Sequence, residues 1–151
     1  MTAEVHTTAA TYLHRVGQRY TTSRRSLVDV LLAAGRPLTL PDILDASPGL
    51  AQSSAYRNLG VLEQAGVVHR IPAPGEFARY ELVEELTGHH HHLVCTQCGA
   101  VDDVAMPPRL ERALERTLHE VADAAGFDLA GHRLDLVGRC PRCSSASRRG
   151  A

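Results

Sequence analysis

"QSSAYRNLGVLEQAG", Gln52 to Gly66, followed by "VVHRIPAPGEFARYELV", Val67 to Val83, decides how the first half of the chain folds. In the first stretch Ala55, Leu59, Leu62 and Ala65 recur at helical spacing, Ser53 or Ser54 opens the helix and Gly66 closes it. In the second, "VVHRI" and "ARYELV" are short β-prone runs around "PAPGEF", whose Pro and Gly mark a turn, so a hairpin is expected. Upstream, "TSRRSLVDVLLAAG" reads as a helix capped by Thr22 or Ser23, with Leu27, Val30, Leu31 and Ala34 as its apolar stripe and Gly35 just past its end. "TLPDILDASPG" gives a shorter helix capped by Thr39, with Pro41 tolerated in the first turn and Pro48-Gly49 as the stop. Helix, helix, helix, hairpin is the order of a winged helix-turn-helix, whose third helix enters the major groove while the hairpin lies beside the phosphate backbone.

Tyr56, Arg57 and Asn58 sit near the start of that third helix, on or beside the face opposite Leu59 and Leu62. An arginine can fork onto guanine and an asparagine can pair with adenine, so Arg57 and Asn58 are candidate base readers, with Ser53 and Ser54 beside them at the helix start. Arg15, Arg19, Arg24 and Arg25 form a local basic cluster suited to phosphates. The chain as a whole has no basic field: its net charge is −1 at pH 7 and its pI about 6.7, so any DNA contact must be local. All 16 basic residues are arginine. At 151 residues with 44% hydrophobic content the chain is long enough for one domain or two small ones. No apolar run approaches the roughly 20 residues of a membrane span, and the N-terminus carries no signal-peptide core. A cytoplasmic protein without membrane contact is expected.

The second half carries the metal chemistry. Cys95, Cys98, Cys140 and Cys143 form two C-x2-C pairs separated by 41 residues, a pattern that in a reducing compartment gathers four thiolates round a tetrahedral zinc ion. Just ahead stands "HHHH", His89 to His92. On a strand, successive side chains face opposite ways, so His89 and His91 look to one side and His90 and His92 to the other. Each pair needs further donors. His132 is one candidate, and Glu115 and Glu111, one turn apart on a helix, are two more; Glu81 and His69, on the wing strands, are placed to meet His90 and His92. Zinc or iron(II) accepts such mixtures of imidazole and carboxylate.

The organisation expected is therefore α+β: a winged-helix domain over residues 1–84, a hinge at 85–88 ending in Gly88, a small metal-binding α/β domain over 89–143, and a disordered tail at 144–151. In the second domain "HLVC" and "VDDV" read as strands. "PPRLERALERTLHEVADAAG" reads as a helix with Leu110, Leu114, Leu118, Val121 and Ala125 on one stripe, and "HRLDLVGRC" alternates as a final strand.

Taken together, "RYTTSRRSLVDVL", "SSAYRNLGVLEQAGVV", "GHHHHLVCTQCG" and "GHRLDLVGRCPRC" resemble the ferric uptake regulator family of bacterial metal-dependent transcription factors, with the motifs in order from about Gly17 to Cys143. The resemblance implies a homodimer that represses metal uptake or homeostasis genes from an inverted-repeat operator in double-stranded DNA. It implies structural zinc on Cys95, Cys98, Cys140 and Cys143, a site within the dimerisation domain on His89, His91, Glu115 and His132, and a hinge site on His90, His92 and Glu81 with His69. It also matches Tyr56 and Arg57 to the family's recognition-helix pair and Arg19 to a basic residue ahead of the first motif helix. Pro37 stands where iron-type members often have a histidine, which leaves that version of the hinge site incomplete, and His91 where they commonly have an aspartate, which enriches imidazole over oxygen; zinc is favoured as the sensed ion, with iron or peroxide sensing as the alternative. A hydrolytic enzyme is not expected, because neither H-E-x-x-H nor H-x-E with P-C-x-x-C is present. A metal buffer that does not bind DNA would have no use for the reading helix.

Overall fold

The computed structural model describes residues 2–148. It is an α+β structure in which a winged helix-turn-helix is followed by a small α/β domain. Helix α1 (Thr2–Arg15), which the sequence reading did not foresee, packs Val5, Ala9 and Leu13 onto α2 (Thr22–Ala34). Buried His6 ties the two together, its Nδ1 lying 2.6 Å from the Tyr20 hydroxyl and its Nε2 2.9 Å from Asp29 Oδ1. Burial pushes the Tyr20 phenol up to about 12.

Thr21, one residue ahead of the expected cap, accepts from the Arg24 amide, and Gly35 closes α2 in the left-handed region at φ 56°. Thr39 caps α3 (Leu40–Ala46) with a reciprocal box: Asp42 N donates to Thr39 Oγ1 at 3.3 Å, and Thr39 N donates to Asp42 Oδ2 at 3.0 Å. Two residues of this segment, Leu38–Thr39, also form the short strand β1. The reading helix α4 (Gln52–Gln64) buries Ala55, Leu59 and Leu62. The hairpin of β2 (Val68–Ile71) and β3 (Arg79–Leu82) completes a sheet of order β1-β3-β2, with His69 directly opposite Glu81. The core of this half joins Leu13, Leu27, Leu31, Ile43, Leu59, Leu62, Val68 and Leu82, each contributing about 1.5–3 kcal/mol by leaving water.

A four-residue helix, α5 (Glu84–Thr87), occupies the segment expected as hinge, and Gly88 ends it at φ 90°. The second sheet has the order β5-β4-β6, with β4 (His91–Cys95) antiparallel to β5 (Val101–Val104) and parallel to β6 (Asp135–Gly138). His132 lies ahead of β6 rather than opening it. Helix α6 (Pro108–Ala124) buries only Ala122 of its side chains, leaving Leu110 and Val121 exposed, as are Phe127, Leu136 and Val137 nearby. Residues 144–148, expected as disordered tail, belong to helix α7 (Pro141–Arg148), whose start is held by the Ser144 amide donating to the Cys140 carbonyl; the rest of that expected tail lies outside the described residues. No described helix is long and apolar enough to cross a membrane.

Candidate metal centres and DNA-reading face

The strand β4 begins at His91, yet the alternation of faces reaches back to His89. His89 and His91 meet Glu111 and His132, while His90 and His92 meet Glu81 and Asp103; within each group the ligand atoms lie within 4.8 Å of one another. In the first group one carboxylate gathers three imidazoles. Glu111 Oε2 lies 2.8 Å from His91 Nε2, and its Oε1 lies 3.1 Å from His89 Nε2 and 3.2 Å from His132 Nε2. The hydrogen bond from His91 holds the Glu111 carboxyl below its ordinary range. His132 Nε2 is buried and close to that oxygen, but its direction makes no hydrogen bond. A buried nitrogen without a hydrogen bond, among two further imidazoles and a carboxylate, fits a cation-binding set.

Glu115, the helix ligand expected by family alignment, is exposed and outside this group. Because α6 starts at Pro108, its first turn and not its second lies against the histidine run; Glu115 is about 6 Å further along the axis. Glu111, the rival on the same face, takes the place.

The second group spans the two domains. Glu81 on β3, 8% exposed, lies with both carboxylate oxygens 3.1 Å from His92 Nε2, and its Oε2 is 3.2 Å from His90 Nε2. Asp103 on β5 stands behind them, 3.9 Å from His90 Nε2 and 4.0 Å from His92 Nε2. Burial alone would raise Glu81, but its hydrogen bonds to His92 and His90 outweigh that and hold it low. The same bonds raise His92, and His90 rises despite its own burial. Burial raises Asp103. His69 stands beside this group. Although opposite Glu81 in the hairpin, it does not join the donor group; its buried Nε2 has no hydrogen bond, and the ring lines a cavity of about 220 Å³ with Glu81, His90, His92 and His132. Asp103 was missed, yet a signal was available: "VDDV" pairs antiparallel with β4 and sets Asp103 opposite His92.

The four cysteines converge from the end of β4, the turn after it and the start of α7. Cys98 Sγ and Cys140 Sγ are 3.8 Å apart, about the edge of a tetrahedron whose sulfurs stand ~2.3 Å from a common centre. The Cys140 backbone N–H donates to Cys95 Sγ at 3.3 Å and brings that thiol down to about 6, whereas sharing with Cys140 pushes Cys143 up to about 12. Four sulfurs brought to one point are the set a tetrahedral cation takes, each giving up its proton on binding.

On α4, Tyr56 is 62% exposed, and Arg57 and Ser53 are exposed beside it; Ser54 is half-buried and Arg19 is exposed at the foot of α2. Asn58 differs from expectation. Its Nδ2 donates to the Ser54 carbonyl at 3.0 Å, and its Oδ1 accepts from Arg24 Nε at 3.0 Å, so both ends of its amide are engaged within the protein. It orients Arg24, which also donates to the Arg19 carbonyl at 2.5 Å.

A winged helix with an exposed reading face, joined to its neighbour through a carboxylate of its wing and two imidazoles and a carboxylate of that neighbour, defines the class of metal-responsive winged-helix transcriptional regulators. Residues 15–137 match the Ferric uptake regulator family, and the chain belongs to it. The family is one of regulators, not enzymes. The chain is 33% identical over 139 residues to the ferric uptake regulation protein of Bacillus subtilis, covering 87% of this chain and 89% of that one. It is 28% identical over 136 residues to the peroxide operon regulator of the same organism, covering 87% and 88%. The crystal structure of the Vibrio cholerae ferric uptake regulator superposes with a TM-score of 0.66 at 26% identity, over 85% of this chain and 96% of that one.

Proposed function

We propose that this protein is a cytoplasmic, metal-responsive repressor that binds double-stranded DNA as a homodimer and controls genes of metal uptake or homeostasis. The observation that carries the reading is the group of Glu81, His90, His92 and Asp103, to which both domains contribute. Held by these four, a divalent cation supplies positive charge and fixed directions between two carboxylates and two imidazoles. Glu81 belongs to the wing, so its position relative to β4 sets where α4 stands. Tyr56 and Arg57 then face the groove, Ser53, Ser54 and Arg19 meet the backbone, and Asn58 steadies Arg24. The exposed Leu110, Val121, Phe127, Leu136 and Val137 fit a second copy of the chain, which would double the reading helix for an inverted-repeat operator with half-sites about 34 Å apart. Cys95, Cys98, Cys140 and Cys143 would hold structural zinc, and His89, His91, Glu111 and His132 a further ion.

His91, the imidazole that favours zinc, lies outside the hinge group. With Asp103 in place of His69 the group has two nitrogen and two oxygen donors, which suits iron(II) as well as zinc, and the relatives include regulators of iron uptake and of the peroxide response. The test starts from protein with its cysteine site filled and a labelled duplex selected from a random pool. Zinc or iron(II) is titrated while anisotropy is followed. The expected result is affinity that rises with one of the two ions; affinity indifferent to both rejects the switch.

A further inference from the structure

The two domains touch at a second place, away from the histidines. Arg79, at the start of β3, sends its Nε 2.6 Å to the Gly99 carbonyl oxygen, across 20 residues and from one sheet to the turn that follows the other's central strand. Gly99 is the residue after Cys98. It is buried, lies in the left-handed region at φ 69°, and is fixed from within by its own N–H on the Cys95 carbonyl at 3.0 Å. The wing loop between β2 and β3 closes on the same point. A Cβ built on Gly99 would collide with the Pro74 carbonyl group, so only glycine lets that backbone approach. A charged donor from β3 and the wing-loop backbone thus both rest on the first cysteine turn, and neither contact uses a group from the two histidine clusters.

We infer that Arg79 and Gly99 are positioning residues: they form a fixed pivot on which the DNA-binding domain stands whether or not the hinge cluster is filled. Two contacts on one turn, from the Arg79 side chain and the Pro74 carbonyl, leave the domain only a narrow range of rotation about that turn. The hinge cluster then selects an angle instead of capturing a freely tethered body, which lowers the entropy lost on closure. The Arg79 fork is suited to this, since one side chain can hold a carbonyl while its β-strand backbone remains paired with Thr39 and Ile71. This pivot needs no sensory ion, so its failure would leave the metal-switch reading standing.

The test removes the other tie first. In the full-length Glu81→Ala protein, without added sensory metal, spin labels on genetically encoded residues at positions 63 and 116 report the distance between domains; labelled chains are diluted with unlabelled ones. The pivot alone should preserve a narrow distance peak. Adding Arg79→Met should abolish that peak while helical circular dichroism is retained, and Arg79→Lys, which can still donate to the Gly99 carbonyl, should restore it. Should the Arg79→Met protein fail to fold, Gly99→Ala in the same background breaks the contact from the other side and should likewise lose the peak. A broad distribution in Glu81→Ala itself, or a peak that survives both Arg79→Met and Gly99→Ala, overturns the inference.

Discussion

Replacing Glu111 by glutamine keeps the size of the side chain and removes the charge on which three imidazoles converge at 2.8, 3.1 and 3.2 Å. An amide is a poor ligand for a borderline cation. Loss of a partner one shell further out commonly costs 10- to 100-fold in metal affinity, so loss of a direct ligand sets ~100-fold as the lower bound. Glu115→Gln, one turn along α6 and exposed, should leave the affinity within about two-fold, the usual reach of an exposed charge. The assay is competition against a chelator of known affinity, on protein whose cysteine site is already filled, with cobalt(II) as a coloured probe. Wild-type protein and Glu115→Gln should take up an ion at each of the two histidine groups, and Glu111→Gln at only one at the same free concentration. If Glu115→Gln lost the ion and Glu111→Gln kept it, the placement of α6 over the histidine run would be wrong.

Arg57→Ala should weaken binding to a selected duplex by about 1–3 kcal/mol and relax preference at one base pair, as measured by anisotropy across a set of single-base variants. Asn58→Ala should weaken binding uniformly across that set, since its amide is spent on Ser54 and Arg24. Leu62→Ala, fully buried in the core of the first domain, should cost about 2–5 kcal/mol in urea unfolding. Asp42 accepts from the Thr39 hydroxyl and amide, and these bonds outweigh its burial to hold its carboxyl below the usual range. Its stabilisation is therefore present above the unfolded carboxylate value and lost as pH falls through the lower folded one. Acid titration of Asp42→Asn should show a flatter loss of stability than wild type over that window; identical curves would remove Asp42 from the account.

The winged helix could be read from the chain because each of its parts is specified locally. Thr39 and Asp42 cap one another three residues apart, Gly35 supplies a left-handed stop, and Leu59 and Leu62 keep helical period. The segregation of the histidines could be read too, since a period of two needs only that the run be extended. What escaped lies beyond local pattern. Asp103 enters the hinge group through the register of β4 against β5, which decides that Asp103 and not Asp102 stands opposite His92. Glu111 over Glu115 depends on where α6 begins relative to β4, and both residues obey the helical period equally well. Asn58 looked free because its partner Arg24 lies 34 residues away. Helix α1 is rich in Thr and Ala and brings only Val5, Ala9 and Leu13 to the core, a sparse stripe whose purpose shows once α2 is there to receive it.

Four identical residues at the entrance to β4 also give the molecule a margin against error. A strand that slips by one position hands each side chain to the opposite pocket, which for a mixed run would exchange unlike donors and spoil both. Here a one-step slip brings Gly88 or Leu93 into a single station and leaves imidazoles at three of the four. The margin belongs to the two pockets alone, because the same slip would trade buried Val94 for exposed Leu93 and carry Cys95 out of the cysteine set, so the far end of the strand holds the register that its entrance tolerates losing.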